Sequence, residues 1–239
     1  MGAGAGFGAG LQMVGVLVDS TLPGKGGGAS GVFGYQHAKL DLLGCRVVAN
    51  IDYGLGIAGP SSALIATGVA VGLHQPSALG TDGHGVAVTD GAALSLAASF
   101  VYGNHATGMT VQSASADVRD SVLVATAPAD SSLGTKLPVA DGLTGLNPVN
   151  LLIVNSLFAK NYRAGIAVKG SGNVTLQGVI GAQNAFGLVL DANAVAKATN
   201  VVFFGNSVQN QAGGLGLPVP PPPNLVPLSG VTTPNVKVP

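Results

Sequence analysis

Three apolar triplets recur at a fixed interval. Val16-Leu17-Val18, Val69-Ala70-Val71 and Val122-Leu123-Val124 are each 53 residues apart. A second series lies inside these units. Leu40, Leu94 and Leu151 are each followed ten residues later by an asparagine, at Asn50, Asn104 and Asn161, and four residues after that by Gly54, Gly108 and Gly165. From Asn161 to Asn184 is 23 residues and from Asn184 to Asn206 is 22. The basic unit is therefore a coil of about 22 residues, and the 53-residue unit holds two coils and a loop. A period of this length means that each unit is one supersecondary element that cannot bury its own apolar side and must stack on its neighbours.

The apolar residues within a coil alternate, as in Ala167-Val168 and Val174-Thr175-Leu176. Alternation is the period of a strand, not of a helix. The chain has ten Asp but no Glu, is rich in Val, and has 38 Gly, which agrees with short strands and tight turns. The reading is a solenoid of parallel strands. Glycine is expected at corners that need positive φ. Asn50, Asn104, Asn161, Asn184 and Asn206 are expected to stack as a turn ladder. Ligation of a metal by their oxygens is the functional alternative. Cys45 aligns with Ser99 and Ser156 and is expected to pack in a corner rather than act as a nucleophile.

Composition narrows the function. Charged residues make up 8% of the chain, and ten Lys+Arg balance ten Asp. Nucleic-acid binding needs a basic excess, and there is none. At 47% apolar, the chain is not of the disordered class. One cysteine provides neither an intrachain disulfide nor a thiolate pair for zinc. No uninterrupted apolar run is long enough to span a membrane, and residues 1–7 do not read as a signal peptide. No Gly-x-Ser-x-Gly elbow occurs. Gly24-Lys25-Gly26-Gly27-Gly28 lacks the spacing of a phosphate loop. The threonines form none of the regular rows that ice binding requires.

The units Asn161-Tyr162-Arg163-Ala164-Gly165-Ile166-Ala167-Val168 and Asn184-Ala185-Phe186-Gly187-Leu188-Val189-Leu190 resemble repeats of right-handed parallel β-helices of the pectate-lyase-like superfamily. Val118-Arg119-Asp120-Ser121 resembles a linker that recurs in large secreted repeat proteins of bacteria. The resemblance covers residues 13–211 and implies an all-β, right-handed parallel β-helix of eight or nine coils, at the cell surface or outside the cell. It leaves activity open, because this fold hosts lyases, hydrolases, epimerases and adhesins.

The domain reading is a Gly/Ala-rich remnant of a preceding coil at 1–12, the β-helix at 13–211, and a Pro-rich tail or linker at 212–239. Eight of the fourteen prolines fall in 218–239. No capping helix precedes residue 13, which suggests a larger parent chain or self-association through the solenoid ends.

After each 53-residue triplet the chain leaves the coil for a longer loop, at 19–31, 72–85 and 125–142. Equal spacing places these loops on one side. They carry Asp19, Lys25, His74, Asp82, His84, Asp130, Lys136 and Asp141. Loops on a rigid scaffold are where function is commonly carried; they are also simply the polar part of an apolar solenoid. Gly83-His84-Gly85 is similar to the Gly-His-Gly of polygalacturonase-like hydrolases, but the paired aspartates and the Arg-Ile-Lys clamp of that family are missing. A lyase reading implies Ca²⁺ on Asp82, Asp130 and Asp141, with Lys136 as base. Otherwise no cofactor is expected. Tyr53, Tyr102 and Tyr162 suggest a short exposed aromatic row or corner packing. Two functional readings follow. The first is a non-enzymatic structural or adhesive module that assembles through its ends or faces. The alternative is a carbohydrate-active enzyme or polysaccharide-binding module working from loops 72–85 and 125–142, with Asp82, His84, Asp130, Lys136 and Asp141 as candidates.

Overall fold

The computed structural model describes residues 2–21, 30–75, 83–128, 140–191, 193–213 and 231–232. Among these residues every regular element is a strand, and the strands form three parallel sheets of nine, eight and nine strands. Each coil contributes one strand to each sheet in turn. The fold is a right-handed parallel β-helix of eight coils with a partial ninth. The first sheet runs from Ala3–Gly6 through Tyr53–Ala58, His84–Thr89, Thr107–Gln112, Asp141–Leu146, Ala164–Lys169 and Phe186–Leu190 to Gln209–Gly213. The second runs from Gly10–Val14 to Ala194–Thr199, and the third from Leu17–Asp19 to Val231–Thr232.

The 53-residue period is two coils plus an insertion. The triplets lie in third-sheet strands of coils 1, 3 and 5, the first two without their leading valine and the third entire. The stack includes strands before residue 13: Ala3–Gly6 pairs with Val32–Tyr35, and Gly10–Val14 pairs with Lys39–Leu43. These strands belong to coil 1, so the solenoid begins before residue 13. Within the Pro-rich tail, Val231–Thr232 pairs with Val201 and Val202 on the third sheet. Residues 214–230 and 233–239 lie outside the described residues.

The core is a stack of inward columns. On the first sheet, Val32, Leu55, Val86, Met109, Leu143, Ile166 and Leu188 lie one above another and are buried. On the third, Val47, Val71, Val101, Leu123 and Phe158 do the same, and the column continues through Gly181 to Phe203. Each aliphatic side chain contributes ~1.5–3 kcal/mol by burial. Ordering its backbone offsets ~1–2 kcal/mol per residue. The net gain per coil is small, so stability grows by stacking.

Two corners explain the glycines, and they do so differently. Between the second and third sheets a single residue with positive φ makes the turn in every coil: Gly15, Gly44, Gly68, Ala98, Asp120, Asn155, Gly178 and Asn200. Here the expectation of left-handed glycine and asparagine holds. The segment Val118-Arg119-Asp120-Ser121 is one of these corners, not a linker. In coils 2 to 8 the residue that follows is buried, and in three of them it is a serine. Val69 N–H donates to Ser99 Oγ, Ser99 N–H to Ser121 Oγ, and Ser121 N–H to Ser156 Oγ, each at 3.2 Å. Cys45 occupies the same column and is buried, with Sγ 3.4 Å from the Met13 carbonyl oxygen. It packs, as its alignment with serine implied.

At the third-to-first corner the glycines of the Asn–Gly pattern do not have positive φ. The left-handed residue is the one before each ladder residue, and it is Ser20, Ala49, Leu73, Gly103, Ala125, Lys160, Gln183 or Gly205. The pattern glycines are there for space. A Cβ on Gly142 would sit 2.7 Å from both Asn161 Nδ2 and the Gly165 carbonyl oxygen. One on Gly187 would sit 2.9 Å from Asn206 Nδ2. Each ladder side chain fills the volume that a glycine leaves.

This distinction sets an order of effects. Gly142→Ala forces overpacking against a buried amide and lowers stability by ~1–3 kcal/mol. Gly44→Asn, at a left-handed corner with open space around it, costs less than ~1 kcal/mol. Urea unfolding midpoints of the two variants check the order, and equal midpoints would contradict it.

Candidate functional site

The third-to-first corner holds both the ladder and the ends of every insertion. The ladder is longer than the asparagines alone. It runs Thr21, Asn50, His74, Asn104, Thr126, Asn161, Asn184, Asn206, and all but Asn206 are buried or nearly so. Oδ1 of each of the five asparagines accepts a backbone N–H from the preceding coil, from Thr21, His74, Thr126, Asn161 and Asn184 respectively, at 2.9–3.3 Å. Asn161, Asn184 and Asn206 also donate Nδ2–H to the carbonyls of Leu123, Phe158 and Gly181. Each of these oxygens thus accepts a backbone donor, and the asparagines stack as a turn ladder. The missed members carried a signal: Leu11, Leu64 and Ala116 stand ten residues before Thr21, His74 and Thr126, the interval that marks the asparagines.

His74 is thus not a loop residue. Its Nδ1 accepts the Asn50 N–H at 3.1 Å, so the ring is neutral. Burial pushes its pKa down to about 4, only partly offset by backbone contacts to Asn50 and Val47. The folded state keeps His74 neutral while the unfolded chain takes up a proton near the usual 6.5. This stabilisation is complete above pH 6.5, is lost as pH falls from there to about 4, and amounts to ~3 kcal/mol. We expect His74→Asn, which restores the ladder amide, to flatten that segment of the stability–pH curve. Chemical denaturation at a series of pH values checks this, and an unchanged slope in the variant would contradict it.

The described chain stops at Thr21, Gln75 and Pro128 and resumes at Ser30, Gly83 and Ala140, on coils 1, 3 and 5 and at one corner; 22–29, 76–82 and 129–139 lie outside the described residues. Lys25, Asp82, Asp130 and Lys136 lie outside the described residues. Asp19 is exposed at the end of its third-sheet strand, away from the others.

Beside that corner, the outward positions at the start of the first sheet form a polar column. Tyr53, His84, Thr107 and Asp141 are register partners on coils 3 to 6, each directly before its pattern glycine. Tyr53 and His84 stack, with ring centroids 5.2 Å apart and planes 12° apart, and both are half-buried. His84 Nδ1 is hydrogen-bonded with the Thr107 hydroxyl and lies 3.2 Å from Thr110 Oγ1. The two threonine hydroxyls are 2.7 Å apart. The N–H groups of Gly83 and His84 both donate to the Asp52 carbonyl, at 2.8 Å, which fixes the return of the chain from its insertion.

Asp141 continues the column into buried territory. Its Oδ1 accepts from Arg163 Nε at 2.7 Å and from the Ala164 N–H at 3.1 Å. Its Oδ2 accepts from the Thr144 hydroxyl at 2.7 Å and from Arg163 Nη2. Burial works against the Arg163 charge, but the hydrogen bonds and attraction of Asp141 outweigh it and hold its pKa above the ordinary arginine value. Both carboxylate oxygens are taken, so Asp141 does not fit the calcium-ligand role that the lyase resemblance gives it. Among the described residues no three His, Cys or Asp side chains converge as a metal site. The tyrosines do not make a row. Tyr53 heads a first-sheet strand, Tyr102 stacks on Phe100 on the third sheet, and Tyr162 is exposed in the turn.

Of these residues the loops single out His84 and Asp141, whereas Tyr53 as a stacking partner, Thr107, Thr110, Thr144 and Arg163 emerge only in the fold. For Tyr53 and Thr107 the sequence does carry a mark: each precedes a repeat glycine, as His84 and Asp141 do.

No protein-family model matches the sequence, and neither does any curated protein. Among solved structures the chain is similar to one described as the crystal structure of pectate lyase Pel9A, with a TM-score of 0.50 and 12% identity. The match covers 79% of this chain and 56% of that one, so the chain spans little more than half of its neighbour's length. The coils and this likeness together define the class as a right-handed parallel β-helix. At this identity the likeness establishes the fold alone.

Proposed function

We propose that the chain engages a polysaccharide along the outer face of the first sheet, outside the cell or at its surface. The observation that carries this reading is one juxtaposition. Three insertions leave the solenoid at a single corner, and the polar side chains of four successive coils line up beside it. Tyr53 and His84 offer a half-exposed stacked pair for a sugar face, with the Thr110 hydroxyl next to it. Asp141 and Arg163 neutralise one another and serve as the rigid end of the column. The neighbour is named a pectate lyase, so polygalacturonate is the first polymer to test. Cleavage, if the chain performs it, would draw on the insertions, with Asp82, Asp130 and Lys136 as the candidates.

Affinity electrophoresis in polygalacturonate gels is the direct measurement. The wild-type chain is retarded, and Tyr53→Ala and His84→Ala each weaken binding at least about tenfold, or ~1.4 kcal/mol. If the wild-type chain migrates unretarded in polygalacturonate and in a panel of other polysaccharides, the reading fails.

A second reading, assembly by lateral packing, has its own observation. The outward positions of the third sheet on coils 4 to 8 are Phe100, Val122, Leu157, Ile180 and Val202 in one column. The other column is Tyr102, Val124, Ala159, Ala182 and Phe204. None is charged, and Phe100 and Ile180 remain 43% and 40% exposed. A contiguous apolar face of this kind favours contact with another surface. Sedimentation velocity across a concentration series should show self-association that Phe100→Lys with Ile180→Lys abolishes; a wild-type chain that stays monomeric throughout refutes it.

A further inference from the structure

Away from that corner, at the turn between the first and second sheets, lies a notch of about 400 Å³ over Gly172 on coil 7. Register places it. Gly172 stands between Val149 on coil 6 and Ala194 on coil 8, and the turns of the two flanking coils line the notch on either side of it. Gly172 and Ser171 form the floor, and Pro148 packs so closely that a Cβ on Gly172 would meet its carbonyl oxygen. Asn147 and Val149 make one wall, and Asn193 and Val195 the other. The walls are two coils apart, roughly 9–10 Å at the usual strand spacing.

The chemistry of the lining is specific. Among the described residues, no partner engages the side chains of Asn147, Asn173, Asn193 or Ser171. This sets them apart from the ladder asparagines, whose oxygens are all taken. A carboxamide presents a donor pair and an acceptor side by side, which matches adjacent hydroxyls. Val149 and Val195 are 53% and 58% exposed and offer an apolar surface to a C–H face. No charged side chain lines the notch. Beside it, the Asp191 carboxylate accepts the N–H groups of Gly170 and Asn193, and its negative charge disfavours an anionic guest. The volume falls in the range of small-ligand sites, roughly 300–1,000 Å³.

We propose that this notch binds one or two rings of a neutral oligosaccharide, independently of the first-sheet face. The test is a ¹⁵N-resolved NMR titration of the whole chain with cellohexaose, xylohexaose and mannohexaose. At least one sugar should shift the side-chain amide signals of Asn147, Asn173 and Asn193 and the backbone signals of 170–173. Asn147→Gly, which keeps the left-handed backbone at 147 unstrained, with Asn193→Ala should weaken that binding at least about tenfold without loss of the folded state in a thermal melt, since both side chains are exposed. Excess polygalacturonate should leave the notch shifts in place, which separates this site from the corner column. Absence of notch shifts with all three sugars at millimolar concentration, or displacement of the sugar by polygalacturonate, overturns the proposal. Neutral-sugar binding without polygalacturonate binding would leave the notch standing and sink the reading of the first-sheet face.

Discussion

The solenoid depends on one contact repeated at one corner. A ladder side chain reaches toward the preceding coil, accepts its backbone N–H, and fills the space above a glycine that has no Cβ. The hydrogen bond alone is worth about 1 kcal/mol net. Its structural effect is larger, because the corner backbone is buried and its N–H groups would otherwise have no partner. Asparagine suits the position because one short side chain supplies both the acceptor and a donor for the next carbonyl. Threonine and histidine meet only part of that requirement. Where they occur the ladder is thinner, and buried groups such as Asn104 Nδ2 and Thr126 Oγ1 lack a partner among the described residues.

The same corner sets the geography of the proposed site. The coil can open there because the residues on both sides are pinned, by the ladder before and the close-packed glycine after. The polar column Tyr53, His84, Thr107, Asp141 lies directly before those glycines, so its side chains inherit the register of the stack. The Asp141–Arg163 pair is a fixed internal brace: separating the partners would leave a buried charge, at a cost of ~3–5 kcal/mol.

Much of this was legible in the sequence, and the physics says which parts. A parallel stack repeats every coil in register, so the triplets, the asparagines and the glycines appear as periods, and the coil length and strand character follow. Cys45 was readable as a packing residue from its alignment with Ser99 and Ser156. The role of the pattern glycines was not, because positive φ and lack of space both demand glycine and spacing alone does not separate them. His74 looked like a loop residue because it comes just after the apolar triplet and its ladder position is filled by a different chemical type. Asp141 looked like a free carboxylate because Arg163 comes from the next coil, 22 residues on, and only folding brings them together.

The insertions occupy alternate coils and differ in length, with 8, 7 and 11 residues outside the described stack at 22–29, 76–82 and 129–139. The stack on either side keeps its register regardless. Loop length and solenoid geometry are therefore decoupled variables. The scaffold behaves as a ruler that is interrupted at its first, third and fifth marks and keeps its spacing across each interruption. The length of chain between two marks can change one coil at a time, while the ladder beneath it stays as it is.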